Sequence, residues 1–344
     1  MIDLHEYGFQ NFDRDLAEGV VPARVTGMHR DLFEVVCPYG RTEANLSGSF
    51  LYHVRERSDY PTVGDFVLLN HNEHGHSQIT SVLPRKSKFS RTDFSGHAVG
   101  YVKTILEQVV AANFDYVFIM SSLNHDFNVN RIARYLTQAR QSGAIPVVVL
   151  TKADLCEKWD AQIDEIQDIA GDIAVIPVSS HTGLGLLELD TYLQPGKTIV
   201  FLGMSGVGKS SLLNALAGEE VMTVAEVRED DDRGRHTTTH RQLIMLPSGA
   251  MIIDTPGMRE LGLWEADGAI SASFAKVQEM ITRCRFSDCR HQTEPGCAVL
   301  AALADGSLPQ GQWNNYLSQK REVTFAEAKK RKNNRKRSPR HDHV

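Results

Sequence analysis

Residues 198–210 read Thr198-Ile199-Val200-Phe201-Leu202-Gly203-Met204-Ser205-Gly206-Val207-Gly208-Lys209-Ser210. An apolar run enters a glycine-rich turn that closes on Lys-Ser, and Ser211-Leu212-Leu213-Asn214-Ala215-Leu216 continues with helix-favouring residues. Strand, G-x4-G-K-S loop and helix in that order form the context of a phosphate-binding loop. Its glycines let backbone N–H groups converge on phosphate oxygens at the positive end of the helix. The pattern assigns phosphate contacts to Gly203, Gly206, Val207, Gly208, Lys209, Ser210 and Ser211. Lys209 would neutralise the β- and γ-phosphates, and the Ser210 hydroxyl would hold Mg2+. A glycine turn that merely happens to contain Lys-Ser is disfavoured by the strand and helix on either side.

Two further motifs extend the nucleotide reading. Met251-Ile252-Ile253-Asp254-Thr255-Pro256-Gly257 is an apolar strand ending in D-x-x-G, about fifty residues after the loop. There Asp254 can reach Mg2+ through water and the Gly257 N–H can sense a γ-phosphate. Thr151-Lys152-Ala153-Asp154 follows the apolar run Ile145–Leu150. A carboxylate at Asp154 can accept from the N1–H and 2-amino group of guanine, which adenine cannot offer, so GTP rather than ATP is predicted. The Lys152 stem would pack across the base, and the Ser179-Ser180 turn after the next strand would give a backbone N–H to guanine O6. As a bare tetrapeptide T-K-x-D is common by chance. The order is unusual, because the base-reading residues precede the phosphate loop by about fifty positions. A sheet of this kind survives that order if its ends were joined and the chain cut elsewhere, a circular permutation.

Between the phosphate loop and D-x-x-G lies Arg228-Glu229-Asp230-Asp231-Asp232-Arg233-Gly234-Arg235-His236-Thr237-Thr238-Thr239-His240, without periodicity. It reads as a switch loop ending in a Mg2+-binding threonine. Met258 follows Gly257 and cannot orient a water, so His236 is the group available to do so. Without a family resemblance, a solvated loop histidine would be the better reading of His236.

Cys284-x4-Cys289-x-His291-x5-Cys297 places three thiolates and an imidazole within fourteen residues, which suits one tetrahedral structural Zn2+. Cys37 and Cys156 sit in apolar patterns and read as ordinary core residues.

The rest of the chain frames these motifs. Five short strands at Val21–Gly27, Leu32–Cys37, Thr42–Leu46, Asp65–Leu69 and Gln78–Leu83, with no convincing helix, suggest a small barrel, an OB-fold first. His71, His74 and His76 lie in a polar segment and read as a solvated hairpin loop. Pro84-Arg85-Lys86-Ser87-Lys88-Phe89-Ser90-Arg91 is a basic connector, solvated or touching a phosphate backbone. From residue 106 strands and helices alternate, the pattern of a doubly wound sheet. The expected helices include Cys156–Ala170, Leu184–Leu193 and, around the zinc residues, Ala269–Thr282 and Cys297–Ala304. Residues 320–344 carry ten Lys/Arg against three acids, so a chain of net charge −6 divides into a +7 tail and a −13 body. That asymmetry suggests a polyanion-seeking arm, with a solubilising tail as the plain alternative. No apolar run approaches membrane-spanning length and the first residues lack a signal-peptide pattern. A cytoplasmic protein without a membrane partner is expected, with a monomer as the default.

Together the barrel, G-M-S-G-V-G-K-S, D-T-P-G, R-G-R-H-T-T-T-H and C-x4-C-x-H-x5-C resemble the RsgA (YjeQ/EngC) family across residues 20–330. The resemblance implies a multidomain α/β protein. An OB-fold would occupy 1–98 with its basic linker, a circularly permuted P-loop GTPase domain 99–263, and a mainly helical zinc-binding domain with a basic tail 264–344. It also implies GTP hydrolysis to GDP and phosphate, stimulated by the small ribosomal subunit, and a role in late maturation of that subunit through its rRNA. By position it makes His236 the water-positioning residue and Thr238 the switch threonine on Mg2+, Thr237 and Thr239 being fallbacks. Lys209 and Ser210 act on phosphates and metal, and Cys284, Cys289, His291 and Cys297 hold zinc. The family usually has Asn where Thr151 stands, which alters one base or loop-tethering contact and predicts somewhat weaker nucleotide affinity. Two other readings remain: a nucleotide-gated RNA-binding assembly factor with incidental hydrolysis, and a zinc-handling metallochaperone, which the closed four-ligand site disfavours.

Overall fold

A computed structural model describes residues 1–10, 16–29, 32–93, 106–124, 127–222, 241–254, 270–271 and 273–337. Its N-terminal third is a barrel of β1 (Val20–His29), β2 (Leu32–Cys37), β3 (Gly40–Leu46), β4 (Phe66–Asn70) and β5 (Ser77–Val82). The strands run β1-β2-β3-β5-β4, and β4 returns to β1, which leaves no open edge. Ala23, Val25, Phe33, Val35, Cys37, Val67, Leu69 and Ile79 fill the interior. A bulge in β1 between Val25 and Gly27 bends the ribbon around this core. One helix escaped the sequence reading: α1 (Gly48–His53), whose Ser47 cap accepts from the Phe50 N–H at 3.1 Å.

The basic connector is not a free linker. Arg85 forks onto Asp65, with Nε and Nη2 each 2.7 Å from a carboxylate oxygen, and donates to the Ser58 and Tyr60 carbonyls at 2.5 and 2.7 Å. Lys86 pairs with Asp115 at 2.8 Å and Lys88 with Glu107 at 2.7 Å. The stretch then becomes β6 (Lys88–Asp93), antiparallel to β7 (Leu106–Ala112). Its charges are spent on its own protein, so the expectation of a solvated run gives way here to a structural one.

The second sheet comprises β8 (Tyr116–Ser122), β9 (Ile145–Thr151), β10 (Val175–Pro177), β11 (Thr198–Leu202), β12 (Arg241–Met245) and β13 (Met251–Asp254). In the order β10-β9-β8-β11-β13-β12 it is parallel except for β12. Helices α2 (Val129–Ser142) and α3 (Asp160–Ala170) cover one face through Ile132, Leu136 and Ile166. Helix α4 (Lys209–Ala217) covers the other through Leu212 and Leu213. This is a doubly wound sheet whose base-reading strand precedes its phosphate-loop strand, the permuted order read from the sequence. The helix expected over Leu184–Leu193 is a short 3-10 turn, Leu186–Thr191. Gly185 enters that turn with φ +70, and a Cβ there would lie 2.0 Å from the Pro177 carbonyl. The helix expected from Cys156 begins only at Asp160, after a 3-10 turn over Ala153–Leu155.

The two sheets are continuous, because β12 pairs with β1 at Gly27↔Gln242 and Met28↔Arg241. Beneath that junction Arg24, fully buried, donates to the Tyr7 carbonyl, to the Asn113 carbonyl at 3.0 Å and to Thr198 Oγ1 at 2.9 Å. Burial lowers its pKa to about 10, while Asp115 and Asp65 oppose that shift.

The C-terminal part consists of α5 (Ala275–Thr282), α6 (Ala298–Asp305) and α7 (Gln310–Arg337) around Phe274, Val277, Val299, Leu308, Trp313 and Tyr316. At 28 residues, α7 carries the basic tail as helix as far as Arg337. No helix among the described residues is long and apolar enough to cross a membrane.

Candidate functional site

The phosphate loop links the C-terminal end of β11 to the first turn of α4. Packing fixes its shape. A Cβ on Gly203 would stand 2.8 Å from the Met120 carbonyl and 3.1 Å from Val207 Cγ1, so the backbone passes where no side chain fits. Gly206 and Gly208 take φ +73 and +99, in the left-handed region that glycine enters without strain. Val207 is buried, Ser205 and Gly206 are exposed, and Ser210 and Ser211 open α4. Lys209 Nζ donates to the Gly203 and Met204 carbonyls at 2.9 and 2.6 Å, which holds the ammonium over the loop it would share with phosphates.

Thr151 ends β9, 3 % exposed, and its hydroxyl donates to the Val207 carbonyl at 2.6 Å. A bond between the end of β9 and the glycine-rich loop is therefore made by a hydroxyl at the position where the family usually has Asn. Lys152 takes φ +59, starting the short turn that carries Asp154 to an exposed position. The Ala153 N–H bonds the Val178 carbonyl at 3.1 Å, which aligns this turn with the next. There Ser179 is fully buried, and its Oγ accepts from the His181 and Thr182 N–H groups at 3.2 and 3.1 Å. Ser179 shapes the turn, leaving the half-buried Ser180 as the residue whose backbone can face a base. Asp254 closes β13, the neighbour of β11. A carboxylate there and the Ser210 hydroxyl are the hard oxygen donors that Mg2+ takes. His236, Thr238 and Gly257 lie outside the described residues.

The second centre lies some distance along the chain. The donor atoms of Cys284, Cys289, His291 and Cys297 all lie within 4.8 Å of one another. Cys284 Sγ is 3.9 Å from Cys297 Sγ and 3.6 Å from His291 Nδ1, and His291 Nδ1 is 3.4 Å from Cys297 Sγ. A tetrahedron with Zn–S and Zn–N bonds of usual length has edges of about 3.8 Å between sulfurs and about 3.6 Å between sulfur and nitrogen. The four residues thus fit zinc, with no open position for a substrate. Trp313 packs edge-on against His291 at 5.5 Å. Burial holds the His291 imidazole below its usual range, against the pull of Glu294, so the ring stays neutral and able to ligate. For Cys284 burial acts upward, but the backbone N–H groups of Ala298 and Val299 at the start of α6 prevail and lower the thiol pKa. Cys289 is pushed up to about 11 by burial and the two neighbouring thiols, which outweigh the His291 N–H.

The sequence reading missed Glu294. Its carboxylate accepts from the Arg290, Gln292 and Thr293 N–H groups at 2.9, 2.8 and 3.0 Å. Those N–H groups hold it down to about 2 and fold the loop that presents His291, itself at φ +58. An acid five residues past a cysteine is no signal by itself, because its partners are backbone groups.

A family model described as RsgA GTPase matches residues 82–264. A small ribosomal subunit biogenesis GTPase RsgA 2 of Listeria monocytogenes is 44 % identical over 326 residues, 94 % of this chain and 90 % of that protein. Among solved structures, YjeQ from Thermotoga maritima aligns with a TM-score of 0.62 at 27 % identity, covering 89 % of this chain and 99 % of that one. YloQ, described as a circularly permuted GTPase, aligns at 0.59 over 94 % and 98 %; at 23 % identity it speaks for the fold alone.

Proposed function

The chain belongs to the RsgA GTPase family, and from that premise we propose that it hydrolyses GTP on the small ribosomal subunit during the late maturation of that subunit. One observation carries the nucleotide half. Thr151, Lys152 and Asp154 after β9, the Ser180 turn after β10, the phosphate loop after β11 and Asp254 at the end of β13 share one rim of the sheet. Ligands of open α/β sheets bind at that rim. Asp154 selects guanine, Lys209 and the loop amides hold the phosphates, and Ser210, Asp254 and Thr238 would hold Mg2+. His236 orients the attacking water. Bound Mg2+ would supply charge against the phosphoryl oxygens, and the loop amides and Lys209 offset the negative charge that builds there.

The subunit half rests on what the relatives are named for and on this chain's charge layout. The division into a barrel unit (1–98), a permuted GTPase unit (99–263) and a zinc-binding unit with its tail (264–344) belongs to the same reading. So do one structural zinc per chain, contact with rRNA, a cytoplasmic location and a monomeric state. GTP hydrolysis by the purified protein, with and without small subunits and with ATP in parallel, tests it. Strong stimulation with GTP alone is expected. Equal rates with and without subunits would remove the ribosomal half and leave the GTPase.

A further inference from the structure

Helix α2 starts beside the phosphate loop. Asn128 caps it by accepting from the Arg131 N–H at 3.0 Å, which fixes the first turn just past the end of β8. From that turn Arg131, with Tyr135 one turn on, lines a small cavity against Ser122 of β8 and Met204, Ser205 and Val207 of the phosphate loop. Lys209 approaches the loop from α4, on the opposite face of the sheet. Arg131 thus lines the cavity from the α2 face of the sheet, opposite the face from which α4 brings Lys209, and Ser205 of the loop lines the same cavity.

The same helix turn is gripped from outside. Asn315 Nδ2 of α7 donates to the Asn130 carbonyl at 3.0 Å, and Arg134 forks onto Glu322 of α7 at 2.5 and 3.0 Å. Residues on both sides of Arg131 are thus tied to α7. Beyond Glu322 the sequence of α7 carries seven Lys/Arg, from 329 to 337.

We propose that Arg131 gives the bound terminal phosphate a cation from the α2 side, and that the α2–α7 seam sets its position. Phosphoryl transfer gathers negative charge on the terminal oxygens, and an arginine placed there acts on the transition state more than on bound GDP. The inference rests on GTP hydrolysis at this site and not on the identity of any partner.

Single-turnover GTP hydrolysis by the full chain without ribosomal subunits tests it, with GDP and a non-hydrolysable GTP analogue titrated in parallel. Arg131→Ala is expected to slow hydrolysis at least ~10-fold. GDP affinity should stay within about twofold, the analogue should bind more weakly, and Arg131→Lys should recover part of the rate. An unchanged rate in Arg131→Ala overturns the proposal. So does an equal loss of GDP and analogue binding, which would make Arg131 a support for the loop only. Glu322→Ala should lower the rate in the same direction at unchanged GDP affinity, and a wild-type rate there overturns the role of the seam. Because no subunit is present, a failed stimulation assay and a failed arginine assay are separate results.

Discussion

The GTPase sheet is joined on one side to the barrel and on the other to the zinc-bearing helices, and the two seams are built differently. Toward the barrel the hydrogen-bonded sheet itself continues, β12 onto β1, over a fully buried Arg24 and a fully buried Asp65 clasped by Arg85. Toward the helices there is no shared strand among the described residues. The contacts include α2 against α7 through Arg134 and Glu322, each 35 % exposed, an exposed Lys276–Asp168 pair at 3.0 Å, Arg140 donating to the buried Ser273 hydroxyl at 2.9 Å, and Ala133 and Ile169 packed into the helices' apolar cluster. A seam of buried charge and shared backbone moves as one body with the sheet. On the helix side the ion pairs are half exposed and exchange partners with water at little cost over a smaller apolar contact, so the charged part of that seam costs little to rearrange.

The largest expected effect is loss of the metal. Structural zinc in small domains is worth on the order of 10 kcal/mol of folding free energy, and here it would fix His291, whose ring packs on Trp313 of α7. Chelation, or Cys297→Ser, should raise hydrogen exchange across residues 284–337 and leave the barrel and sheet protected. If exchange rose equally in β1 and β12, the two seams would be equivalent and the contrast would fail.

A middle-sized effect separates the seams directly. Removing one member of a buried pair leaves the other charge without compensation, which costs about 3–5 kcal/mol. Asp65→Asn is expected to lower the denaturation midpoint of the barrel–sheet body by that order, and Glu322→Gln to change stability by less than about 1 kcal/mol. Comparable losses from the two variants in urea melts would erase the distinction.

These seams were also the part the sequence hid. Phosphate loop, T-K-x-D, D-x-x-G and C-x4-C-x-H-x5-C are local patterns, and each marks its chemistry within a dozen or so residues. Arg24 meets Thr198 across 174 positions and Asn113 across 89, so no window contains both partners. Arg85 looked like one charge in a basic run because Asp65, twenty residues earlier, stands inside an apolar strand signal. The strand β6 was masked by the same lysines and arginines, which suggested solvent. Glu294 serves backbone groups, and backbone groups have no sequence signature. The barrel, by contrast, was readable from its short strands at regular spacing between turn residues.

The smallest effect tests the joint inside the sheet. The Thr151 hydroxyl is buried, and its single strong bond at 2.6 Å runs to the Val207 carbonyl, so it links the Lys152–Asp154 turn to the glycine-rich loop before α4. Valine keeps the shape and removes the donor, leaving that carbonyl unsatisfied inside the protein. Such a loss is worth roughly 0.5–1.5 kcal/mol, a weakening of about two- to tenfold. Because the bond acts on loop alignment and not on the terminal phosphate, Thr151→Val should weaken GDP and GTP alike, and Thr151→Ser should bind as the native chain does. Titration of both nucleotides decides it. A loss confined to GTP would mean that Val207 is read from the catalytic side, through the cavity that Arg131 lines, and that the two loops are coupled through α2 and not through β9.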